Sequence, residues 1–564
     1  MKTLQPPVQK TVNHFIPTQA RPSMSPRPRR PLASALCFSV FALFLSTADG
    51  TFGKSYQYIY DNATNWWGQQ EESAWSGAPW DGLPQPGGPG AGDDLDLNAT
   101  ESLNVIGSFT TPSDPLPFTA LINNITVTEY TGIAILNSRN NWLSTLEVLG
   151  DITISDNRSL QLRDRNASSS LTVNVDGDVT VGDGGILYLG TPTTGSGSAS
   201  TANNRLRSIS VLGKTTINGS LLNAVSNINT TTSTFLGDLE VDGLLVVAAA
   251  EEDFTGAGSV TNEISIRSLS GSGTVHGSNI KGNGTRSTTL KFQTEADSNE
   301  EFSGTLLDSQ VTTTGTGVNR LGVTISGTGQ QSFSGNNTYS GQTLVSSGKL
   351  LVNGTHIQAD SGQGGGVASG LYQIADGGTL GGSGRIAGKI TGNNSHMIYV
   401  ESGGTLAPGT EEAMGVLTID GGLLSETGNV TLNMAAGAEF AFRLAGDGSD
   451  ADRLTFWNYS AHNSAILSSN RVNLTLAGPL VAGTYTVTLF DFFSNDGTTA
   501  TSSHLSDGLT LHLDASISFA ELIYNGHDIS LQYTVTVIPE PDLVTLAFCS
   551  LLSLAILRRF TRHS

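Results

Sequence analysis

Between about residues 101 and 430 the chain alternates apolar and polar residues in short runs cut by glycine and asparagine. Leu171, Val173, Val175, Val179 and Val181 share one parity, with Thr, Asn and Asp between them. A period of two puts one face of a strand inward and the other in water. The same alternation returns in Leu509, Leu511, Leu513, Ala515, Ile517 and Phe519. It returns again in Ile529, Leu531, Tyr533, Val535 and Val537. Away from the two ends, no stretch keeps apolar residues at helical spacing for three turns.

Glycine-rich units punctuate these runs: DGGILYLG (183–190), VDGLLVV (241–247), SGKLLVNG (347–354), DGGTLGGSG (376–384), SGGTLAPG (402–409) and DGGLLSETG (420–428). Each is a glycine turn followed by a short apolar strand, too small to bury its own face. Their recurrence predicts an all-β chain wound as a right-handed parallel β-helix or solenoid. Coils of about 20–25 residues rising ~4.8 Å each would make a rod on the order of 100 Å long. After about residue 430 the strands lengthen, as further coils or a sandwich-like cap.

Composition narrows the function classes. Charged residues make up 14% of the 564, and there are 67 glycines. That profile suits short strands and tight turns and disfavours a helical or α/β enzyme. Formal net charge is −21, and nine of the 28 basic residues lie in the two ends (Lys2, Lys10, Arg21, Arg27, Arg29, Arg30, Arg558, Arg559 and Arg562). The body is therefore more acidic still, which argues against nucleic acid as a partner. Cys37 and Cys549 are the two cysteines, one in each end. The body has no thiol for a disulfide, a thiolate metal site or a nucleophile.

Both ends have the pattern of targeting segments. At the N-terminus, Arg27, Arg29 and Arg30 precede the apolar run 32–45, and Ser46, Thr47 and Ala48 follow it. This is a secretory signal peptide, for the Sec translocon and signal peptidase, with cleavage expected after Ala48. Its n-region is long, and Met24 is an alternative start to Met1. At the C-terminus, Pro539, Glu540 and Pro541 break the chain, because each proline fixes φ and lacks a donor. An apolar run with Leu543, Leu546, Phe548, Leu551, Leu554 and Leu557 follows, then Arg558, Arg559 and Arg562. At ~1.5 Å per residue the run is a short transmembrane helix, extended by snorkelling arginines at its cytoplasmic end. This tail resembles the sorting segment of PEP-CTERM proteins. The resemblance implies that exosortase, a membrane enzyme, reads Pro539, Glu540 and Pro541, so that this chain is substrate rather than catalyst.

Two further stretches carry a resemblance. Trp66, Trp67, Trp75 and Trp80, four of six tryptophans, lead into Asp93, Asp94 and Asp96. This opening is similar to that of surface proteins with autotransporter-associated β-strand repeats. It is read as a cap over the first coil, with a sugar-stacking platform as the alternative. The segment 332–354, SFSGNNTYSGQTLVSSGKLLVNG, resembles the repeat itself, with its core at Ser334–Thr343. Gly335 and Gly341 are expected at tight corners, Asn336 and Asn337 at left-handed turns or in ladders. Tyr339, Leu344, Leu350 and Val352 are expected inside.

Catalytic constellations are scarce. HExxH, GxSxG, P-loop and EF-hand patterns are missing, and the nine histidines show no ligand spacing. The glycine patterns at 271–277 and 382–388 are copies of the repeat, not nucleotide loops. Acidic groups remain: Asp93, Asp94 and Asp96; Glu251, Glu252 and Asp253; and Asp447, Asp450 and Asp452 beside Arg453. Carboxylates this close suit Ca²⁺, or a polysaccharide lyase using Asp450, Asp452 and Arg453. The alternative is a set of polar turns, and it is preferred, so no metal, cofactor or catalytic residue is assigned.

The chain therefore divides into a signal peptide (1–48), a tryptophan-rich cap (49–100), a β-solenoid (101–430), C-terminal coils or a cap (431–536) and a sorting tail (537–564). The expected function is that of an exported, non-catalytic surface or extracellular-matrix protein of a Gram-negative-type bacterium. It would pass through an inner-membrane intermediate and associate with exopolysaccharide. A β-helix polysaccharide lyase or carbohydrate-binding protein is the alternative. N-terminal sequencing of the exported protein should begin at Asp49; a start before residue 40 would remove the signal peptide reading.

Overall fold

A short parallel strand has unpaired N–H and C=O groups on both edges, and in this protein the equivalent strand one coil away satisfies each edge. The computed structural model describes residues 94–536, apart from several intervening segments, together with Ser55–Tyr58 and Trp75–Ser76. Every regular element among the described residues is a strand. Successive strands go to three different sheets in turn, and the fourth returns beside the first. The result is a stack of three-sided parallel coils.

One face is continuous, a 13-stranded sheet from Phe118–Ile122 to Ser464–Ile466. The other two faces each consist of two sheets in succession. The first face begins with a nine-stranded sheet ending at Ser268–Ser270 and resumes with an eight-stranded sheet starting at Asn299–Phe302. The second face breaks between Thr305–Leu307 and Asn336–Asn337.

The alternation seen in the sequence becomes vertical stacks inside the coils. Ile125, Ile152, Val179, Thr215, Leu239 and Leu269 face one another in register along the first face. All six are buried, and each full-sized aliphatic contributes roughly 1.5–3 kcal/mol by leaving water. Thr215 keeps its place by donating its hydroxyl to the Leu236 carbonyl at 2.8 Å. Towards the C-terminal end the stacks turn aromatic. Phe490 meets Phe440 and Phe442 edge-on at 5.3 and 5.2 Å, and Phe456 lies flat on Phe492 at 5.1 Å.

Coil length varies more than the predicted 20–25 residues. Bonds between successive coils join residues 27 apart at Asp151 and Asp178, 36 apart at Asp178 and Lys214, and 19 apart at Asn336 and Thr355. The strands hold register because a slip by one residue would turn the apolar set outward. One corner carries a signal that the sequence reading missed: the recurrence of Gly150-Asp151, Gly177-Asp178, Gly213-Lys214 and Gly237-Asp238. The Asp151 carboxylate accepts from the Asp178 N–H at 2.8 Å, and Asp178 does the same for Lys214 at 2.7 Å. A Cβ on Gly177 would stand 2.3 Å from the Asp151 carboxylate oxygen. Glycine leaves room for its neighbour's acid.

The autotransporter-like repeat follows the same logic, which corrects part of its reading. Gly335 and Gly341 lie between strands, as the tight-corner reading expects, without left-handed backbone. A Cβ on Gly335 would lie 1.8 Å from the Gly304 carbonyl of the preceding coil. Asn336 and Asn337 form a strand rather than a left-handed turn, and their amide oxygens bond across coils to Thr355 and Leu306, as the ladder alternative expects. Tyr339, Leu350 and Val352 are buried as expected, but Leu344 is half-exposed while Val345 points inward. The apolar pair had left the parity ambiguous, and register with Ile325 and Ile374 decides it.

Where the two faces break, side-chain amides replace the missing ladder. At Asn299–Phe302 the strand is displaced and Glu300 is exposed, although its register partner Gln331 is buried. Gln331 reaches past that strand to Leu269, accepting from its N–H at 2.9 Å and donating to its C=O at 2.8 Å. On the second face the Asn337 amide oxygen accepts from the Leu306 N–H at 2.9 Å. Each amide acts as a short piece of strand.

The far end closes with antiparallel strands. Leu509–His512 is a last parallel strand, and a turn at Asp514 ends its alternation. Gly483–Phe492 pairs with Asp528–Val535, which pairs with Ile517–Tyr524, both antiparallel. Ile517 is buried, but Phe519 is 45% exposed, so the run from Leu509 to Phe519 is not one face. At the other end, Ser55–Tyr58 pairs antiparallel with the strand containing Trp75. Trp66, Trp67 and Trp80 lie outside the described residues.

Gln331→Leu should lower the urea unfolding midpoint, at roughly 1–3 kcal/mol for each main-chain group orphaned at Leu269. Gln330→Ala, on the exposed face of the same strand, should stay within about 0.5 kcal/mol. Equal effects of the two would show that the amide does not bridge the break.

Candidate functional site

The broken ladder shapes the outer surface beside it. On the resumed first face, Asn299, Gln330 and Lys349 lie in register on three successive strands, and so do Glu301, Ser332 and Leu351. These two columns form the floor of a groove of about 460 Å³. The turn Ala296–Ser298 stands at one end, and Thr410, Glu411 and Glu412 at the other. Neighbouring side chains hold the floor in place. Gln330 donates to Asn299 at 2.5 Å, Asn353 to Ser332 at 2.8 Å, and Ser334 to Glu301. Lys349 pairs with Glu411 at 3.4 Å across the groove.

The wall at 410–412 is anchored to the coils. Gly382 and Gly409 exchange two main-chain hydrogen bonds, at 3.0 and 2.9 Å. Thr410 accepts from the Ala413 N–H at 3.0 Å through its hydroxyl. Asp452 accepts from the Gly415 N–H at 3.0 Å and the Arg443 N–H at 2.8 Å, and pairs with the Arg443 Nε at 3.3 Å. Arg443 in turn donates to the Glu411 carbonyl.

This arrangement reassigns the acidic group that the sequence offered as a metal or lyase site. Asp452 is 1% exposed, and its carboxyl is pushed up by burial, opposed by these donors. It buttresses the groove wall. Asp447 accepts from the Ser449 N–H and hydroxyl, which hold its carboxyl low. Asp450 accepts from the Ala451 N–H, and Arg453 pairs with Asp491 at 3.2 Å. The four side chains therefore serve separate contacts and do not converge. Asp94 accepts from Asn123 and Asn124, and Asp96 from Thr128. Asp93, Glu251, Glu252 and Asp253 lie outside the described residues. Among the described residues no three His, Cys, Asp or Glu side chains are placed to hold a metal ion.

A second polar cluster joins the repeat to the neighbouring coils and was not foreseen. His356, 1% exposed, stacks on Tyr339 at 4.0 Å. Its Nε2 lies 2.9 Å from the Tyr339 carbonyl, which only accepts, so Nε2 carries the proton. Nδ1 then accepts from the Tyr372 hydroxyl at 2.6 Å. The Tyr339 hydroxyl bonds Thr343 at 2.7 Å, and Asp308 accepts from the Ser340 N–H and hydroxyl. Tyr, Ser and Thr of the repeat core are thus internal fasteners. Burial pushes His356 down to about 4 and Asp308 up.

Ala48, Pro539, Glu540, Pro541, Leu543–Leu557 and Arg558, Arg559 and Arg562 all lie outside the described residues. Among the described ones, no helix is long and apolar enough to cross a membrane. No family model matches the chain. The adhesin BmaC autotransporter of Brucella suis biovar 1 (strain 1330) is 36% identical to it over 88 residues. Those residues are 16% of this chain and 2% of the adhesin. The likeness is in keeping with the autotransporter-type resemblance of the repeat, and this chain spans only a small part of the adhesin's length.

The buried imidazole gives the fold an acid limit. Its pKa falls on folding, so its stabilisation is complete above the unfolded value near 6.5 and is lost as pH drops towards 4. Over that window it amounts to about 3 kcal/mol. Asp308, raised on folding, opposes this at the acid end. His356→Phe should flatten the pH dependence of the unfolding midpoint between pH 6.5 and 4; an unchanged slope would mean that folding does not shift the imidazole's pKa.

Proposed function

We propose that this is an exported, non-catalytic protein of the cell surface or extracellular matrix. Its right-handed parallel coils, the winding that parallel crossovers adopt, carry a solvent-facing polar groove. The observation that carries the reading is the use made of the candidate catalytic groups. Asp452 is paired with Arg443 behind a wall, Asp450 accepts from the Ala451 N–H, and Arg453 is held by Asp491. The partial likeness to an autotransporter adhesin supports a surface location.

In this reading the signal peptide ending at Ala48 sends the chain through the Sec translocon. The apolar run Leu543–Leu557 holds it in the inner membrane, and exosortase reads Pro539, Glu540 and Pro541 before release to the envelope or matrix. Thr536, the last described residue of the cap, is hydrogen-bonded to Ser516 and stands three positions before Pro539. A carbohydrate-binding role is favoured as a companion by the groove, whose floor is built from amides, hydroxyls and carboxylates.

The chain should be expressed with and without an exosortase and weighed intact. Loss of the residues after Pro541 only in the presence of the enzyme, abolished by alanines at Pro539, Glu540 and Pro541, is the expected result. Retention of the tail in both hosts would make it a plain anchor and defeat the sorting reading.

A further inference from the structure

The groove on the resumed first face is open to solvent, built in strand register, and consistent in charge. Asp297, Glu301, Glu411 and Glu412 line it, against Lys349 alone, and Lys349 is paired with Glu411. These carboxylates are spread over the length of the groove, and no three acids converge as a metal ion would require. A ligand matched to them carries its positive charges at intervals. No aromatic side chain lines the groove, so recognition falls to hydrogen bonds and charge. The Ser298 hydroxyl at the groove's end is shielded from solvent and has no hydrogen-bond partner among the described residues.

We propose that this groove binds a linear oligosaccharide bearing free amino groups, laid across successive coils. Parallel strands repeat at about 4.8 Å, and an extended chain of pyranose rings advances by a comparable step per sugar. Each sugar thus meets a new rung: Asn299 and Glu301, then Gln330 and Ser332, then Lys349 and Leu351. Amide and hydroxyl groups of the floor bond ring hydroxyls, while Glu301 at one end and Glu412 at the other take the ammonium groups. The same carboxylates repel uronic acid polymers. The inference rests on the reading of an exported surface protein only for where such a glycan would be met.

The test is calorimetric titration of the full chain in detergent with three hexamers: β-1,4-linked glucosamine, its fully N-acetylated form, and oligogalacturonate. The amino form should bind, the acetylated form about tenfold or more weakly, and the uronate not at all. Glu301→Gln and Glu412→Gln should each weaken the amino form by about tenfold. Glu521→Gln, an exposed acid on the cap, should leave it unchanged. Absence of binding, equal binding of the acetylated hexamer, or an equal loss in Glu521→Gln would each overturn the proposal, the last by exposing a general attraction to an acidic surface. Thermal unfolding of each variant confirms that these exposed substitutions leave the coils intact. Processing of the tail is measured separately, so a failed glycan titration with intact sorting sinks the groove and not the surface reading.

Discussion

Everything in this structure depends on the main-chain hydrogen bonds between one coil and the next. No strand here is long enough to stand alone, and most have only three to five residues. Pairing in the parallel direction gives each coil two satisfied edges and sets the spacing at which side chains stack. That spacing explains both halves of the composition. Inside, it demands an apolar residue at every second position. At the corners, it brings main chain so close to main chain that a Cβ has no room, as at Gly335 against the Gly304 carbonyl. The abundance of glycine reflects close approach more than a need for unusual backbone angles.

The same constraint explains how the stack tolerates interruption. When the strand at Asn299–Phe302 is displaced, Leu269 loses its main-chain partner, and a buried unpaired peptide group is costly. Gln331 supplies an equivalent amide from two coils away. Asn337 does so on the neighbouring face. Because the displaced strand also turns Glu300 and Glu301 outward, the fault in the ladder lies directly beside the groove. Structural repair and surface chemistry thus meet in one place.

The acidic group at 447–452 shows how charge can mislead a reading along the chain. Four charged residues close in sequence suggest convergence, but in a solenoid, neighbours in sequence diverge to different coils and corners. Asp452 points inward to Arg443 and Gly415, while Asp447 stays in its own turn. The groove is assembled the opposite way, from Asn299, Gln330, Lys349 and Glu412, which are tens of residues apart and neighbours only across strands. No motif along the chain could have marked it.

What the sequence determined by itself was the period and its consequences. Alternation at Leu171–Val181 and the repeated glycine units required strands, and strands too short to bury themselves required stacking. The parity of most inward residues followed too, with Val173, Val175 and Tyr339 buried as expected. The recurrence of glycine at 150, 177, 213 and 237, followed by Asp at three of the four, was present to be found, since it falls at the same place in successive coils. Tertiary structure alone decided the register between coils. Register depends on which residue lies opposite, and coils of 19 to 36 residues carry no fixed period to reveal it. It therefore also decided that Leu344 faces out, that Gln331 mends a ladder, that His356 is an internal fastener and that a polar groove lies across three strands.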